Sequence, residues 1–480
     1  PKGVPPRRDG AAMIWLVLYL LVFLVLGMAL ALALTESPTL PLHELAARVL
    51  AFGLGGVGLC WFWLSMIGLA PSRLGGAIIA TVAIALIAVL VGRGRKLIPA
   101  RQASSTSSRK MITVFVLLLP ALLGLAIVSV HALGHVWYEW DGYLLWGMKT
   151  RAVTTDPLAT ADYFHNPHFL PLHQRYPLMV PFLAAGVNGF TGNIEDVLVK
   201  AVFPLIYIAL LLMLYAGMRD KLPAWRAALL LSLFALMPVL VRSAGTGMAD
   251  VPLSMFYFGA VLFIVRWTAS NQPRHLVQAM FFATCCLFCK REGIAFMGLF
   301  AGSLCVVALA SRDVKRLKWF PVFFAVVIGV AAPWFMFAST LPRVPIYVPA
   351  ITITEIPWSR LPLILGQMWN YIGDWRSWNG LWFVLPVLAV VTARRSGKAQ
   401  ILVLWSFVLA HFALYLYVYL ICPGNWDINV HRTQPRLTLH IAPVAMLLLA
   451  HHWAAVMPSN EAMDDDTDKP ADARTGAAEA

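Results

Sequence analysis

Charge is scarce in this chain. Only 12% of its 480 residues are Asp, Glu, Lys or Arg, against 60% hydrophobic residues and a mean hydropathy of +0.74. That balance excludes a water-soluble globule with an ordinary polar surface. The short alternating segments of a membrane β-barrel are also missing. Instead, apolar stretches of roughly 18 to 25 residues recur from Ala11 to the neighbourhood of Met457, each long enough to cross about 30 Å of hydrocarbon as a helix. No fixed-period repeat is present, which argues against an inverted-repeat transporter. Cysteine is sparse: Cys60, Cys285, Cys286, Cys289, Cys305 and Cys422, all but the last inside apolar stretches, so no disulfide framework is expected. Cys285, Cys286 and Cys289 could share a helix face, yet nothing hydrophilic nearby completes a zinc site.

The pattern predicts an all-α polytopic membrane protein with about thirteen transmembrane helices (range 11–13). They fall near 11–34, 45–70, 74–92, 111–133, 194–217, 224–241, 250–269, 276–289, 294–311, 319–338, 378–392, 400–421 and 436–456. The first stretch is too long for a signal-peptide core, although Ala31-Leu32-Ala33 resembles a cleavage site, and is expected to be a retained helix.

The formal net charge of +14 sits mostly in short clusters between the spans. This is positive-inside topology and calls for no nucleic acid. The connection with Arg93, Arg95, Lys96, Arg101, Arg109 and Lys110 contains no acid, which makes it cytoplasmic. Arg219 with Lys221, then Arg274, then Arg312 to Lys318, then Arg394, Arg395 and Lys398 alternate onto that side. The opposite side receives 134–193, 242–250, 339–377 and 422–435. This requires the Pro- and Gly-rich segment 176–192 to lie along the interface without crossing. It also places Lys2, Arg7 and Arg8 outside, against the rule. Four regions are expected: N-terminal spans and a basic loop (1–110), a catalytic transmembrane module with its large outward loop 134–193 (111–338), an outward loop with C-terminal spans (339–456), and a disordered acidic cytoplasmic tail (457–480).

The outward loops concentrate aromatic, acidic, histidine and arginine residues. The first reads His135-Val136-Trp137-Tyr138-Glu139-Trp140-Asp141-Gly142 and continues to Trp146 and Lys149. A carboxylate at the membrane–water boundary can take a proton from a sugar hydroxyl or hold a cation, and the rings offer stacking faces. An interfacial aromatic belt explains the tryptophans as well, but not the two acids. Asp141 and Glu139 are therefore candidate catalytic groups. Beyond them come Arg151, Asp156, Asp162, His165, His168, His173, Arg175 and Tyr176. Histidines at these separations fit solvated loop positions better than a metal site. Asp250 opens a helix after an outward turn and is a third acidic candidate, although it could simply favour that N-terminus through the dipole. Lys290-Arg291-Glu292-Gly293 interrupts an apolar run, and charges there need a hydrated cavity, an anionic ligand or mutual pairing. Arg432 and Arg436 flank the last span, where a guanidinium suits a phosphate and a snorkelling arginine is the plainer alternative.

These residues resemble the GT-C superfamily of glycosyltransferases, in particular bacterial relatives of protein O-mannosyltransferases and the aminoarabinose transferase of lipid A. Glu139-Trp140-Asp141 looks like their modified acidic motif in the first large outward loop. Trp140, Trp146, Lys149, His168 and Tyr176-Pro177-Leu178 with Pro181 are similar to the loop and juxtamembrane segment, and Lys290 with Gly293 to a Lys-Gly break. The resemblance runs over roughly 111–311. It implies a polyprenyl-phosphate monosaccharide donor, a glycan, lipid or protein acceptor on the outward side, and surrounding membrane lipids as partners. Asp141 would be the general base of an inverting displacement, with Lys149, Lys290, Arg291, Arg432 and Arg436 as candidate cations for the leaving phosphate, and Arg151, His168, Arg175, Tyr176 and Glu292 near the substrate. No cofactor is firmly implied. A divalent cation, if used, would be sought at Glu139 and Asp141 with a histidine. The rivals are an O-antigen polymerase or ligase acting on lipid-diphosphate glycans, and a transporter or flippase, which would place its ionisable residues within the spans.

Overall fold

A computed structural model describes residues 10–35, 39–99, 108–342, 356–394, 399–422 and 425–457. Lys2, Arg7, Arg8, Arg101, Arg395, Lys398 and the acidic tail from 458 onward lie outside the described residues, as do the side chains of Arg109 and Lys110.

Among the described residues nineteen α-helices follow in chain order. They are α1 (Gly10–Leu34), α2 (Leu42–Met66), α3 (Arg73–Gly92), α4 (Ser108–Gly134), α5 (Met148–Thr155), α6 (Asp162–His165), α7 (Met179–Thr191), α8 (Val202–Arg219), α9 (Ala224–Ala235), α10 (Pro238–Ala244), α11 (Asp250–Ser270), α12 (Pro273–Cys289), α13 (Glu292–Ala310), α14 (Trp319–Thr340), α15 (Leu361–Ile372), α16 (Trp375–Trp378), α17 (Leu381–Thr392), α18 (Ala399–Ile421) and α19 (Trp426–Val456). The only strands among the described residues are Thr39–Leu40 and Ile98–Pro99, paired in parallel.

The described residues thus form an all-α bundle of polytopic membrane type. Among the described residues ten helices are long and apolar enough to cross a bilayer, or eleven if α9 and α10, bent by 65° at the break before Pro238, count as one broken span. Two of the thirteen predicted spans differ for reasons of length. Helix α12 has 17 residues and α17 has 12, or about 26 and 18 Å of rise.

The buried centre is α11, whose most apolar stretch is enclosed throughout. It packs against α8, α12, α18 and α19. By contrast α3, α4 and α14 turn large apolar side chains such as Val82, Ile112, Phe115 and Met336 outward, as a lipid-facing surface requires. Small residues let α1 and α2 close on one another: a Cβ on Gly27 would lie 1.8 Å from the Val49 carbonyl oxygen, and one on Gly53 would lie 2.1 Å from that of Phe23.

The segment expected to lie along the interface without crossing forms a helix of 13 residues, too short to be a span. Helix α7 is enclosed by α1, α2, α3, α5 and α12, and all but Gly189 of its 13 residues are buried. Its prolines and glycines permit close approach; a Cβ on Gly189 would meet the Pro71 carbonyl oxygen at 2.2 Å.

Hydrogen bonds sort the connections between two ends. Arg95 reaches the carbonyls of Leu32 and Thr35, Arg274 that of Thr35 at 2.8 Å, and Arg316 that of Thr268 at 3.1 Å. Arg266 binds Glu44 at 2.7 Å and Asp220 at 2.9 Å. At the other end Ser65 Oγ accepts from the Leu158 amide, and Arg73 lies over Trp15 with 3.9 Å to the ring centroid. The relative alternation of the basic connections agrees with the positive-inside pattern. Gly10 belongs to the same end as the 134–193 loop, so three spans do precede the basic connection.

Candidate active site

Local backbone brings an acid to the loop end of the bundle. After α4, residues Asp141–Gly147 wind as a π-helical turn that runs directly into α5, a geometry frequent at functional sites. Asp141 stands at its start, with a quarter of its side chain exposed.

A second group comes from the break between α12 and α13. A Cβ on Gly293 would lie 2.2 Å from the Cys286 carbonyl oxygen. Glycine therefore allows α13 to start hard against α12, and Lys290, Arg291 and Glu292 are presented together at the mouth.

The third group is a stripe on α19. Asn429, Thr433, Arg436 and His440 follow the i, i+4, i+7, i+11 spacing of one helix face. Pro443 in the same helix has no N–H, and the carbonyl of Leu439, one turn earlier, accepts instead from Ser254 Oγ at 3.0 Å. That bond ties α19 to α11.

These groups converge on a cavity of about 520 Å³, walled by Trp140, Asp141, Trp146, His173, Tyr176, Lys290, Arg291, Glu292, Tyr415, Tyr419, Asn429, Thr433 and Arg436, with Leu145, Ala295, Leu414, Val418 and Leu437 as apolar lining. Arg436 Nη2 lies 2.6 Å from Asp141 and 2.9 Å from Asp250. Asp250 has no exposed surface. Its Oδ1 takes the Lys290 ammonium at 2.9 Å and His440 Nε2 at 3.1 Å, the full set of partners that a buried carboxylate demands. Lys290 also reaches Glu292 at 2.7 Å. Arg291 lies over the Tyr176 ring, 4.9 Å from its centroid, and among the described residues no carboxylate pairs with it. Burial raises the Tyr176 phenol and lowers the His173 imidazole, which Lys149 and Arg291 push down further.

The structure brings Asp141, Tyr176, Lys290, Arg291, Glu292 and Arg436 to one cavity, with Asp250 immediately behind. Other candidates stand elsewhere. Lys149 is fully buried, donates to the carbonyls of Leu145 and Leu172 at 3.1 and 2.8 Å, and lies 5.8 to 5.9 Å from the ring centroids of Trp146, Tyr163 and Tyr176. Burial pushes its amine down to about 7. Arg151 is held by Asp196 at 2.6 and 2.7 Å, and Arg175 donates to the Leu341 and Ser339 carbonyls. His168 and Arg432 are exposed, and they and Glu139 do not line the cavity. Asp141 is taken by Arg436, so the Glu139–Asp141–histidine metal set does not assemble. Among the described residues no three His, Cys, Asp or Glu converge in a way that could hold a metal.

Sequence reasoning missed His440, Tyr415, Tyr419, Thr433 and Asn429. Their signal was available as i, i+4 polar pairs, Tyr415 and Tyr419 hidden within an apolar span and Asn429 and Thr433 within a stretch that reads as an outward loop.

An all-α membrane bundle with a loop carboxylate, a facing arginine and a partly apolar cavity is consistent with the class of GT-C-like membrane proteins. Within it, residues 175–337 match the family described as dolichyl-phosphate-mannose-protein mannosyltransferase, and over that stretch the chain is similar to the family. The match takes in Tyr176, Asp250 and Lys290 to Glu292, while Asp141 and Arg436 fall outside it. No curated protein matches the chain.

Proposed function

We propose that the protein is an inverting glycosyltransferase that moves a monosaccharide from a polyprenyl-phosphate carrier to a glycolipid, polysaccharide or protein acceptor on the extracytoplasmic side. One observation carries the reading: Asp141 and Arg436 share one cavity with an arginine, Arg291, that has no carboxylate of its own among the described residues. The matched family's dolichyl-phosphate-mannose supports a lipid-monophosphate donor.

Asp141 accepts the proton of the acceptor hydroxyl as that oxygen attacks the anomeric carbon. The bond from that carbon to the phosphate oxygen breaks, configuration inverts, and the electron pair leaves with the polyprenyl phosphate. Arg291 and Arg436 meet the charge that develops on the leaving group, in a site sheltered enough for such contacts to count. Asp250, Lys290 and His440 hold Arg436 in place. No step is assigned to a metal. A phosphodiester donor carries one negative charge, which suits one unpaired Arg291 better than a diphosphate does.

The basic connections at the far end make that end cytoplasmic by the positive-inside rule, so the cavity faces outward. The alanine-, leucine- and arginine-rich composition supports a bacterial inner membrane. The catalytic module is drawn from 111–338 together with α18 and α19, which supply Tyr415 and Arg436.

The test is transfer from a panel of polyprenyl-phosphate sugars by the purified protein in lipid nanodiscs, comparing the parent with Asp141→Asn. Transfer, or slow donor hydrolysis, that the substitution abolishes while donor binding persists supports the reading. Undiminished turnover, or activity confined to diphosphate-linked chains, would replace it with the polymerase or ligase chemistry.

A further inference from the structure

Helices α18 and α19 are joined by a ladder of polar side chains. Tyr415 Oη lies 3.3 Å from His440 Nδ1, Tyr419 Oη lies 2.8 Å from Thr433 Oγ1, and Asn429 Nδ2 lies 2.9 Å from Cys422 Sγ. Tyr415 and Tyr419 are one helical turn apart and both line the cavity.

The direction of the protons along this ladder follows from its ends. Asp250 is an acceptor that already holds Lys290 and Arg436. His440 Nε2 must therefore donate to it, and the fully buried ring stays neutral because taking an imidazolium out of water is costly. A neutral imidazole with a proton on Nε2 has a bare Nδ1, and Tyr415 must donate to it. In the second rung Thr433 donates its own proton to the Asn429 carbonyl at 2.7 Å. Thr433 Oγ1 is then the acceptor, and Tyr419 must donate. Both phenols have their protons committed to α19 and can offer the cavity only oxygen lone pairs.

We infer that Tyr415 and Tyr419 form the sugar subsite of the cavity, where their acceptor-only oxygens select hydroxyl groups of the donor's sugar and play no part in holding its phosphate. Phosphate oxygens accept hydrogen bonds and find no donor here, whereas sugar hydroxyls donate. Arg436 stands on α19 between Thr433 and His440, the two residues that take the phenol protons. A phosphate on Arg436 thus has its sugar within reach of both tyrosines. The inference rests on the lipid-phosphate-sugar reading above.

The experiment compares two probes, polyprenyl-phosphate mannose and sugar-free polyprenyl phosphate, binding to the parent, Tyr415→Phe and Tyr419→Phe in nanodiscs without acceptor. Each phenylalanine variant should weaken the sugar-bearing probe by about 3- to 10-fold, the worth of one neutral hydrogen bond, and shift the sugar-free probe by less than about 2-fold, the scale of a change that removes no hydrogen bond. Retained binding of the sugar-free probe also shows that the variants are folded. Equal losses on both probes would mean that the phenols serve the phosphate, and no loss on either would remove them from donor recognition. Both results overturn this inference and leave the donor reading standing. A parent that binds neither probe overturns the donor reading, and this inference with it.

Discussion

Arg436 is 2.6 Å from Asp141, so the proposed base and the proposed leaving-group cation are ion-paired before any substrate arrives. The same guanidinium keeps a hold on the fully buried Asp250, which lets it turn toward a phosphate without losing its anchor. Arg436→Gln should lower kcat by about 10²- to 10³-fold, the scale of removing one transition-state donor. Folding should be affected far less, because Asp250 retains Lys290 and His440 and Asp141 is partly solvated. Single-turnover rates with saturating donor, set beside thermal unfolding in nanodiscs, would check this. An unfolding loss that matches the rate loss would make Arg436 structural instead.

Asp250 and Asp141 should respond oppositely to loss of charge. Asp250→Asn removes the fully buried carboxylate around which two cations and a histidine are arranged, and breaking a buried pair of this kind is worth about 3 to 5 kcal/mol. Asp141→Asn alters a partly exposed group and should change stability by about 1 kcal/mol or less. Thermal unfolding of both variants under one condition tests the ordering. Comparable melting temperatures would show that Asp250 is not the anchor described above.

Much of this arrangement is legible in the sequence, and the rest is hidden for a physical reason. Long apolar runs separated by basic clusters declare the helices and their alternation, because lipid and the positive-inside rule act on local composition. Asp141, Lys290 to Glu292 and Arg436 stand out because charge beside a span is costly. The pairing of Arg436 with Asp141 is not legible, since it depends on how α19 packs against α11 and the π-helical turn. Tyr415, Tyr419 and His440 escape notice because neutral polar residues barely lower the hydropathy of a span, and Thr433 because it reads as part of an outward loop; only their positions on facing helices mark them. That α7 is enclosed by other helices is not legible, because glycine and proline signal both exposure and close packing. Lys149, expected beside the phosphate, is enclosed by aromatic rings that in the sequence look like sugar platforms.

Lys149 gives the chain a pH dependence with a defined sign. Burial lowers its folded-state value to about 7 from an ordinary lysine value near 10.5, so between those limits the unfolded chain binds a proton that the folded chain does not. Stability should therefore rise with pH from about 7 toward about 10 and be lowest, on this account, below pH 7. Lys149→Met keeps the apolar stem and should flatten that slope. Unfolding midpoints in nanodiscs at half-unit pH steps would show it, and an identical slope in parent and variant would mean that the ammonium survives, held by its two carbonyls and three rings.

Gly293 sets the position of the cationic mouth through contact alone, which makes it separable from charge. A Cβ there would meet the Cys286 carbonyl oxygen at 2.2 Å and its carbon at 2.5 Å. Both are backbone atoms that cannot swing away, so Gly293→Ala must push α13 off α12 or distort the turn that carries Lys290, Arg291 and Glu292. Overpacking of this kind costs about 1 to 3 kcal/mol. Gly298 in the same helix has nothing within 4 Å of its Cβ direction, and Gly298→Ala should be neutral or slightly stabilising through helix propensity. The informative measurement is transfer rate against unfolding midpoint for the pair. Gly293→Ala should lose activity out of proportion to its stability, because displacing the mouth by a fraction of an ångström spoils the alignment of Arg291 with the leaving phosphate, while Gly298→Ala keeps both. Equal behaviour of the two variants would mean that the close approach of α12 and α13 does not position the site.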